Sequence, residues 1–424
     1  MPILYIHGVN TRSRDGFFAL KPYLQRYVAP AISGDPSTVM IDDVYWGDVA
    51  AWFAWDGASR PSSRLLGQGA AGALPDALES ALTAHAHGEV LKRLPQSSPA
   101  GPATGGLIAG GSRTGPAARL RLRDLPPDQL SDLLAALFTK TIEDPAQRAQ
   151  LAIAADEVAL DPLIRAELAR AATAEGELRA LLDHVRRRVE PPGGLLGQGV
   201  PDWLAPLTDR LGETLERAKD LPAYSVSMVA AELRPWLNEF LSIFIGDVFA
   251  YLAKRGQASA PGEIPQRFLN KFRIAQENKE RRGGEPLVVL SHSMGGQIVY
   301  DAVSHFLPGD AQYRDQRIDF WCATASQVGM FEEMKLFLAD DPAYRSGNPV
   351  PFPHANLGVW WNVWDHNDFL SFTGADIFNG VADEPYDSGM ALTSAHSGYL
   401  QRPSFYRRFA EKLNAAATQG WRTP

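Results

Sequence analysis

Strand-like and helix-like segments alternate at both ends of this 424-residue chain, and this alternation constrains its fold more than any other feature. Residues 2–6 and 38–45 are short runs of β-branched and aromatic side chains bounded by turn formers, as strands are. Between them, residues 17–32 carry apolar side chains at helical spacing. A strand–helix–strand unit joins parallel strands, so we predict an α/β fold with a mostly parallel sheet flanked by helices.

The same alternation returns in the last third of the chain. Strands are predicted at residues 286–291, 317–324 and 357–364, and helices at residues 294–306 and 403–418. These segments are predicted to complete the sheet that the first strands begin.

The section between these two parts is rich in Ala, Leu and Arg and is helical in period. Residues 94–118 are dominated by Gly, Pro and Ser and are predicted to be a mobile loop. The candidate helices are residues 127–142, 146–158, 162–189, 201–219, 226–254 and 263–282. The predicted domain organisation is a first part of an α/β core in residues 1–50, a mainly helical insertion in residues 51–283, and a second part of the core in residues 284–424.

Composition and charge narrow the class of protein. An apolar fraction of 45% supports a sizeable buried core, and a net charge of −8 offers no basic surface for nucleic acid. Cys322 is the only cysteine, so no disulfide can form within the chain and we expect a reducing, cytoplasmic location. The most apolar stretch, residues 236–252, is too short and too polar to span a bilayer, and a strand pattern stands where a signal peptide would be. Export by a dedicated secretion system would leave no such signal and stays open.

Ser293 lies in a small-x-Ser-x-Gly frame, which is the form of a nucleophile elbow. The frame reads Ser291-His292-Ser293-Met294-Gly295 and stands between a predicted strand and a predicted amphipathic helix. The turn is so tight that its flanking positions nearly touch, which requires small residues there, and Ser291 replaces the usual first glycine. The alternative is a serine that caps an ordinary helix. The strand before the frame and the helix after it favour a nucleophile.

A nucleophilic serine needs a base, a group that orients the base and donors for the developing oxyanion. In this kind of sheet the order along the chain is serine, acid, histidine. His396 lies in a small-residue segment, predicted to be a loop before the last helix, and is the predicted base. Asp368 follows a strand and precedes apolar residues, so it is the predicted acid, with Asp365 as the alternative. The other histidines after the serine fit the role of base less well. His305 lies on the helix after the elbow, His354 comes before the candidate acids, and His366 lies next to them.

The oxyanion donors are predicted from the sequence YIHGVN at residues 5–10, which places a His-Gly pair after the first strand. Gly8 would let the backbone approach an ester carbonyl closely, so the N–H groups of Val9 and Met294 are the predicted donors. Taken alone, Gly8 could be a turn glycine after an edge strand. With the elbow present, Gly8 and Ser293 are expected to meet at the carboxyl ends of the strands, where open parallel sheets bind ligands.

These residues together resemble the α/β-hydrolase superfamily, and specifically its bacterial lipase-like and esterase-like members, which have a His-Gly strand near the N-terminus and an SHSMGG elbow. The resemblance covers the two outer sections and hardly touches residues 50–240. It implies a triad of Ser293, Asp368 and His396, with Val9 and Met294 as oxyanion donors. The supporting residues are His7, Gly8, Ser291, His292 and Gly295. The matching segments are residues 5–10, 44–48, 245–252, 287–296, 323–329, 362–371 and 394–399.

The predicted function is hydrolysis of a carboxylic ester, most simply a lipid or other acyl ester, through an acyl-enzyme intermediate. The helical insertion would act as a lid over the crevice, and peripheral contact with a membrane is possible. No cofactor or metal is predicted, because the pair of His85 and His87 has no acidic or cysteine partner at ligand spacing. The alternatives are an antibacterial lipase or phospholipase effector, a binding protein whose insertion recognises a protein partner, and a catalytically inactive scaffold.

Overall fold

The computed structural model describes residues 2–55, 58, 122–142, 144–171, 174–189, 242–388 and 392–422. The predicted loop at residues 94–118, the predicted helix at residues 201–219, most of the predicted helix at residues 226–254 and the His85/His87 pair lie outside the described residues.

Within the described ranges, six strands form one sheet, and every pair of neighbours in it is parallel. The strand order is β2-β1-β5-β6-β7-β8, and a separate small hairpin pairs β3 with β4. The strands are β1 (Pro2–Ile6), β2 (Met40–Val44), β3 (Gly256–Gln257), β4 (Ala260–Pro261), β5 (Val288–His292), β6 (Ile318–Thr324), β7 (Leu357–Trp364) and β8 (Val381–Pro385). The prediction of an α/β fold with a mostly parallel sheet is confirmed.

The chain changes direction across the sheet between β1 and β5. From β1 the chain continues to β2 on one side, and it later returns to the other side of β1 as β5, with Ile6 paired to Val44 on one edge and to Ser291 on the other. Such a reversal opens a crevice at the carboxyl ends of β1 and β5, which is the usual ligand site of an open parallel sheet. The loop after β1 and the turn after β5 meet at this crevice.

Helices cover both faces of the sheet. The helices are α1 (Asp15–Tyr23), α2 (Pro127–Thr141), α3 (Pro145–Leu160), α4 (Pro162–Leu168), α5 (Ala174–Val189), α6 (residues 242–254), α7 (Glu263–Arg281), α8 (Gly295–Asp301), α9 (Val328–Glu333), α10 (Leu392–Gly398) and α11 (Pro403–Thr418). Helix α1 continues through Leu24–Val28 to Ala29–Ile32, and α8 continues through Ala302–Phe306 to Leu307–Gly309. Short 3₁₀ turns lie at Pro36–Thr38, Leu122–Asp124 and Tyr399–Gln401.

Alternate side chains of each strand enter two separate cores. In β5, Val289 packs with α7 and α8 on one face, whereas Val288 and Leu290 pack with α1 and α11 on the other. Successive side chains of a strand point to opposite faces, so a central strand buried on both faces must be apolar throughout. The run VVL in β5 meets this requirement.

The described part of the insertion has a core of its own, formed by apolar residues of α2, α3, α4 and α5. This bundle joins the rest of the molecule through α2 and α3, where Ala135, Ala149 and Ala152 pack into the core beneath α1 and α11. Asp156 of α3 accepts a hydrogen bond from Tyr27 Oη at 2.9 Å and also pairs with Arg407 of α11. The described bundle is therefore attached to the helices that flank one face of the sheet.

Three local predictions need correction. The predicted helix at residues 162–189 is two helices, α4 and α5, because both bury apolar residues in one small core and the chain must bend between them. The strand β8 was not predicted, since its short sequence VADEP lacks a run of apolar or β-branched residues and none of its residues is fully buried at the sheet edge. His396 was predicted to lie in a loop, but it belongs to the short helix α10. None of the described helices is both long and apolar enough to cross a membrane.

Candidate active site

Ser293 occupies a strained position in the turn between β5 and α8. Its φ angle is 54°, in the left-handed region that residues with a side chain rarely adopt, and its side chain is buried. The turn is held on both sides, since Ser293 N donates to Thr324 O at 2.9 Å and Gly296 N donates to Ser293 O at 2.9 Å. Strain of this kind persists where the surrounding structure enforces it, which is common at functional sites.

The close approach of neighbouring backbone explains why small residues flank Ser293. A Cβ atom on Gly8 would lie 2.5 Å from Ser293 Cβ and 3.1 Å from Ser293 Oγ, and a Cβ atom on Gly295 would lie 2.5 Å from Ile6 O. Ser291, which stands where the motif usually has glycine, is accommodated because its buried hydroxyl accepts a hydrogen bond from Trp321 Nε1 at 2.8 Å. The departure from glycine is therefore compatible with the turn.

His7 shapes the loop after β1. Its Nδ1 donates to Gly8 O at 2.7 Å and its Nε2 accepts from Trp46 N at 2.9 Å, so the hydrogen bonds assign a neutral ring with the proton on Nδ1. The ring stacks on Trp46 with 5.0 Å between centroids. Burial lowers the pKa of His7 to about 4, which keeps the ring neutral near pH 7. His7 therefore supports the backbone that presents Gly8 and Val9 to the crevice.

Asp247 of α6 binds the loop after β1 through its carboxylate, a role that was not predicted from the sequence. Its buried carboxylate accepts from Asn10 N at 2.8 Å, from Arg12 Nη2 at 2.7 Å and from Ala51 N at 2.9 Å. The loop after β1, the loop after β2 and the insertion helix α6 therefore meet at one carboxylate. An aspartate in an otherwise apolar helical segment was the available signal.

The predicted oxyanion donors border Ser293. Met294 follows it directly and lies at the start of α8, where backbone N–H groups have no partner within the helix. The segment of Gly8 and Val9 comes from the neighbouring strand and lies against the Ser293 side chain, as the close approach of Gly8 shows. The structure thus brings both predicted donor segments to the serine.

Asp368 and His396 form a direct pair. His396 Nδ1 lies 3.0 Å from Oδ1 and 3.0 Å from Oδ2 of Asp368, and this carboxylate is buried. Tyr399 Oη donates to Asp368 Oδ2 at 3.3 Å, and Leu370 N donates to Oδ1 at 3.0 Å. A buried carboxylate on Nδ1 fixes the tautomer and the orientation of an imidazole, leaving Nε2 as the basic atom. Tyr399 was not identified from the sequence.

Asp365, the alternative acid, binds backbone N–H groups rather than a histidine. Its Oδ2 accepts from Ser388 N at 2.8 Å and its Oδ1 accepts from Asn367 N at 2.8 Å. Burial raises the pKa of its carboxyl. Asp365 therefore ties its loop to the segment after β8, whereas Asp368 contacts the imidazole.

His292 connects the histidine to the elbow. Its Nε2 donates to the backbone carbonyl of His396 at 2.6 Å, and the two rings have centroids 4.9 Å apart. Removal from water lowers the pKa of His292 to about 3, and the neighbouring His396 adds to the effect. A neutral His292, directly before Ser293 in the chain, thus anchors the backbone of His396 beside the elbow.

No hydrogen bond joins Ser293 to His396, the predicted base, in this structure. His396 Nε2 is buried and has no hydrogen-bond partner among the described residues. Ser293 Oγ instead lies 3.4 Å from Nε2 of Gln327, a buried residue that the sequence analysis did not single out. The structure therefore pairs His396 with Asp368 and joins the His396 backbone to His292, the residue before Ser293.

The other three histidines that follow Ser293 in the sequence have contacts of their own outside the Asp368–His396 pair. His305 Nε2 accepts from Ala258 N at 3.2 Å, in the turn of the β3–β4 hairpin. His354 packs against Phe352 and His366 packs edge-on against Trp364. Within the described ranges, no group of three or more His, Cys, Asp and Glu side chains is arranged to hold a metal ion.

Comparisons of the chain with protein-family models, with curated proteins and with solved structures found no match. The chemistry of this crevice is therefore inferred from its own residues.

Proposed function

We propose that this protein is a serine hydrolase of the α/β-hydrolase type that cleaves a carboxylic ester through Ser293, His396 and Asp368. One observation carries the proposal: the buried Asp368–His396 pair stands beside a left-handed serine turn at the direction change of a parallel sheet. A capping serine needs neither a left-handed backbone nor a neighbouring acid–histidine pair.

The proposed reaction begins with attack of Ser293 Oγ on the acyl carbon, while the hydroxyl proton passes to His396 Nε2. Asp368 holds Nδ1–H of the resulting imidazolium, and the N–H groups of Val9 and Met294 donate to the oxyanion. The intermediate collapses as the alcohol leaves with the proton from His396, and the acyl group stays on Ser293. Water then attacks the acyl-enzyme with His396 as base, which releases the acid and restores the serine.

The Nε2 atom of His396 has no hydrogen-bond partner among the described residues, and this is compatible with the proposed steps. Hydrogen bonds between catalytic groups are often long before substrate binds and shorten in the substrate complex. The tie between His292 and the His396 backbone limits how far the imidazole must move. In the proposed mechanism, Ser293 Oγ and His396 Nε2 come within hydrogen-bond distance when the ester binds.

An apolar acyl group is the proposed substrate class. The loop after β2 and helix α6 are adjacent, since a Cβ atom on Gly246 would lie 2.9 Å from Ala51 Cβ. They expose large apolar side chains, with Trp52 82% exposed and Phe249 64% exposed, and Asp247 joins both segments to the loop after β1. Such a surface supports contact with a lipid substrate or with the membrane that holds it. We further propose that the insertion covers the crevice as a lid; its described bundle is attached to the flank formed by α1 and α11.

The proposal is tested with p-nitrophenyl esters of increasing acyl length. Ser293→Ala should lower kcat/KM by at least about 10³-fold, because no nucleophile remains. Ser304→Ala is the matched control, since the Ser304 hydroxyl only donates to Tyr300 O at 2.6 Å in the continuation of α8 and should be dispensable for hydrolysis. Equal hydrolysis by wild type and Ser293→Ala would refute the assignment, and a preference for the shortest acyl chains would refute the apolar substrate class.

A further inference from the structure

Gln327 is a buried amide that touches three parts of the candidate site. It lies at the start of α9, after the turn that follows β6. Its Nε2 donates to Ala325 O and to Leu370 O, each at 2.7 Å, and lies 3.4 Å from Ser293 Oγ. One side-chain amide therefore contacts the turn after β6, the loop that carries the acid, and the nucleophile.

The orientation of this amide is determined by its neighbours. Gln297 Nε2, on α8, donates to Gln327 Oε1 at 3.0 Å, and Gln297 is itself buried. Two carbonyl oxygens face Gln327 Nε2, so rotation of the amide by half a turn would set oxygen against oxygen. The Gln297–Gln327 pair is thus fixed in one arrangement.

The pair is connected to the acid through Leu370. The N–H of Leu370 donates to Asp368 Oδ1 at 3.0 Å, and the carbonyl of the same residue accepts from Gln327. A second tie lies close by, where Phe372 N donates to Ser326 O at 2.9 Å. The acid loop, residues 365–372, is therefore attached at two points to the turn beside Ser293.

We propose that Gln327 is a positioning residue that sets the separation between the Asp368–His396 pair and Ser293; this inference rests on the proposed hydrolase function. If Gln327 loses its donors, the carbonyl of Leu370 loses a partner and the acid loop can shift away from the elbow. Because general-base catalysis depends on placement to well below 1 Å, a small shift of His396 would slow reaction at Ser293 while leaving ester binding intact.

The test measures reaction of Ser293 with an alkyl fluorophosphonate, followed by intact-protein mass spectrometry. In this reaction an Oγ–phosphorus bond forms and the phosphorus–fluorine bond breaks, while the serine proton passes through His396 to solvent and fluoride leaves. Gln327→Met keeps the side-chain length but removes the donors, and we expect labelling about 10²-fold slower than in wild type. Gln276→Met is the matched control. Gln276, on α7, is also buried, and its side chain donates to the backbone carbonyl of Arg317 at 2.9 Å. This variant should therefore label at the wild-type rate.

A second variant separates positioning from general destabilisation. In Gln327→Glu the protonated side chain keeps one donor, whereas the ionised side chain sets oxygen against the carbonyls of Ala325 and Leu370. The ratio of wild-type to variant labelling rate should therefore be small at low pH and rise as the new carboxyl ionises. A purely structural role would give a ratio that does not change with pH.

The outcomes distinguish the two proposals. Wild-type protein that labels no faster than Ser293→Ala would overturn the proposed function. Wild-type protein that labels readily, together with Gln327→Met that labels equally fast, or a pH-independent ratio for Gln327→Glu, would overturn the role of Gln327 alone.

Discussion

His292 donates a hydrogen bond from Nε2 to the backbone carbonyl of His396, at 2.6 Å. The residue before the candidate nucleophile thus fixes the main chain of the candidate base, although the two are 104 positions apart in the sequence. The Asp368 contact fixes the His396 ring through Nδ1. His396 is therefore held at its backbone by His292 and at its ring by Asp368.

Replacement of His292 should slow catalysis more than it weakens binding. We expect His292→Phe to keep a ring at this position and to lower kcat about tenfold, because one hydrogen bond to the His396 backbone is lost. KM should stay nearly constant in steady-state ester hydrolysis. His305→Phe, which removes a histidine away from the crevice, is the control. A higher KM with an unchanged kcat would contradict the positioning role.

The two candidate acids should respond differently to the same substitution. Asp368→Asn is expected to lower kcat by about 10⁴-fold, because an amide on Nδ1 favours the wrong imidazole tautomer. Asp365→Asn should leave kcat within a few fold and lower the free energy of unfolding by about 1–2 kcal/mol, since it disturbs bonds to two backbone N–H groups. Steady-state kinetics and urea unfolding measure the two effects. The reverse pattern would make Asp365 the acid.

Gly8 should tolerate no side chain. In Gly8→Ala the new methyl group would lie 2.5 Å from Ser293 Cβ, so the serine or the β1 loop must move, and we expect kcat/KM to fall by about 10²-fold or more. Gly16→Ala is the matched control, because nothing lies within 4 Å of the added Cβ in α1. Alanine is also the better helix former, so this control should be fully active and slightly more stable. Full activity of Gly8→Ala would show that the β1 loop does not adjoin a working nucleophile.

Asp247 should stabilise both the fold and the oxyanion loop. In Asp247→Asn a neutral amide replaces the carboxylate that accepts hydrogen bonds from Asn10 N, Arg12 and Ala51 N. We expect the free energy of unfolding to drop by about 2 kcal/mol and kcat to fall as well. Glu263→Gln removes an exposed partner of Arg267 and should change stability by less than about 1 kcal/mol. Equal stability and equal kcat in wild type and Asp247→Asn would refute this role.

Stability should fall as the pH drops, in part because of His7. Burial lowers the pKa of His7 from 6.5 to about 4, against the opposing effects of its bond to Gly8 and of Asp43 and Asp247. Between these two values the unfolded chain binds a proton at this position that the folded protein does not, so the stabilisation is complete above pH 6.5 and is lost on the way to pH 4. The loss is on the order of 3 kcal/mol. Urea unfolding across this range should show a shallower pH dependence for His7→Gln than for wild type, and identical slopes would contradict the neutral, buried state of His7.

Local sequence patterns predicted the regular elements where burial is periodic. The bounds of β1 (Pro2–Ile6), β7 (Leu357–Trp364) and α11 (Pro403–Thr418) agree with the predicted ranges, because apolar spacing and an initial proline are local signals. Strand β8 carries no such signal. Its polar residues are extended because β7 offers them an unpaired edge, and that edge exists only in the assembled sheet.

The candidate site divides in the same way. The tight turn at Ser293 could be predicted because its small neighbours lie within a few positions in the chain, and the His-Gly pair after the first strand is also a local motif. Local context favoured Asp368 over Asp365, but both follow the same strand, and only the folded structure shows which carboxylate contacts the imidazole. Gln327, Tyr399 and Asp247 were missed because their partners are remote in the sequence: Leu370, Asp368 and the loops after β1 and β2.

The amino-acid sequence alone determined the alternation of strands and helices and the identity of the residue in the tight turn, because both depend on neighbours a few positions away. The tertiary structure decided which carboxylate meets the imidazole, which amide lies beside the serine and where the described insertion helices attach. Those choices depend on hydrogen bonds and packing between segments that only the folded sheet brings together.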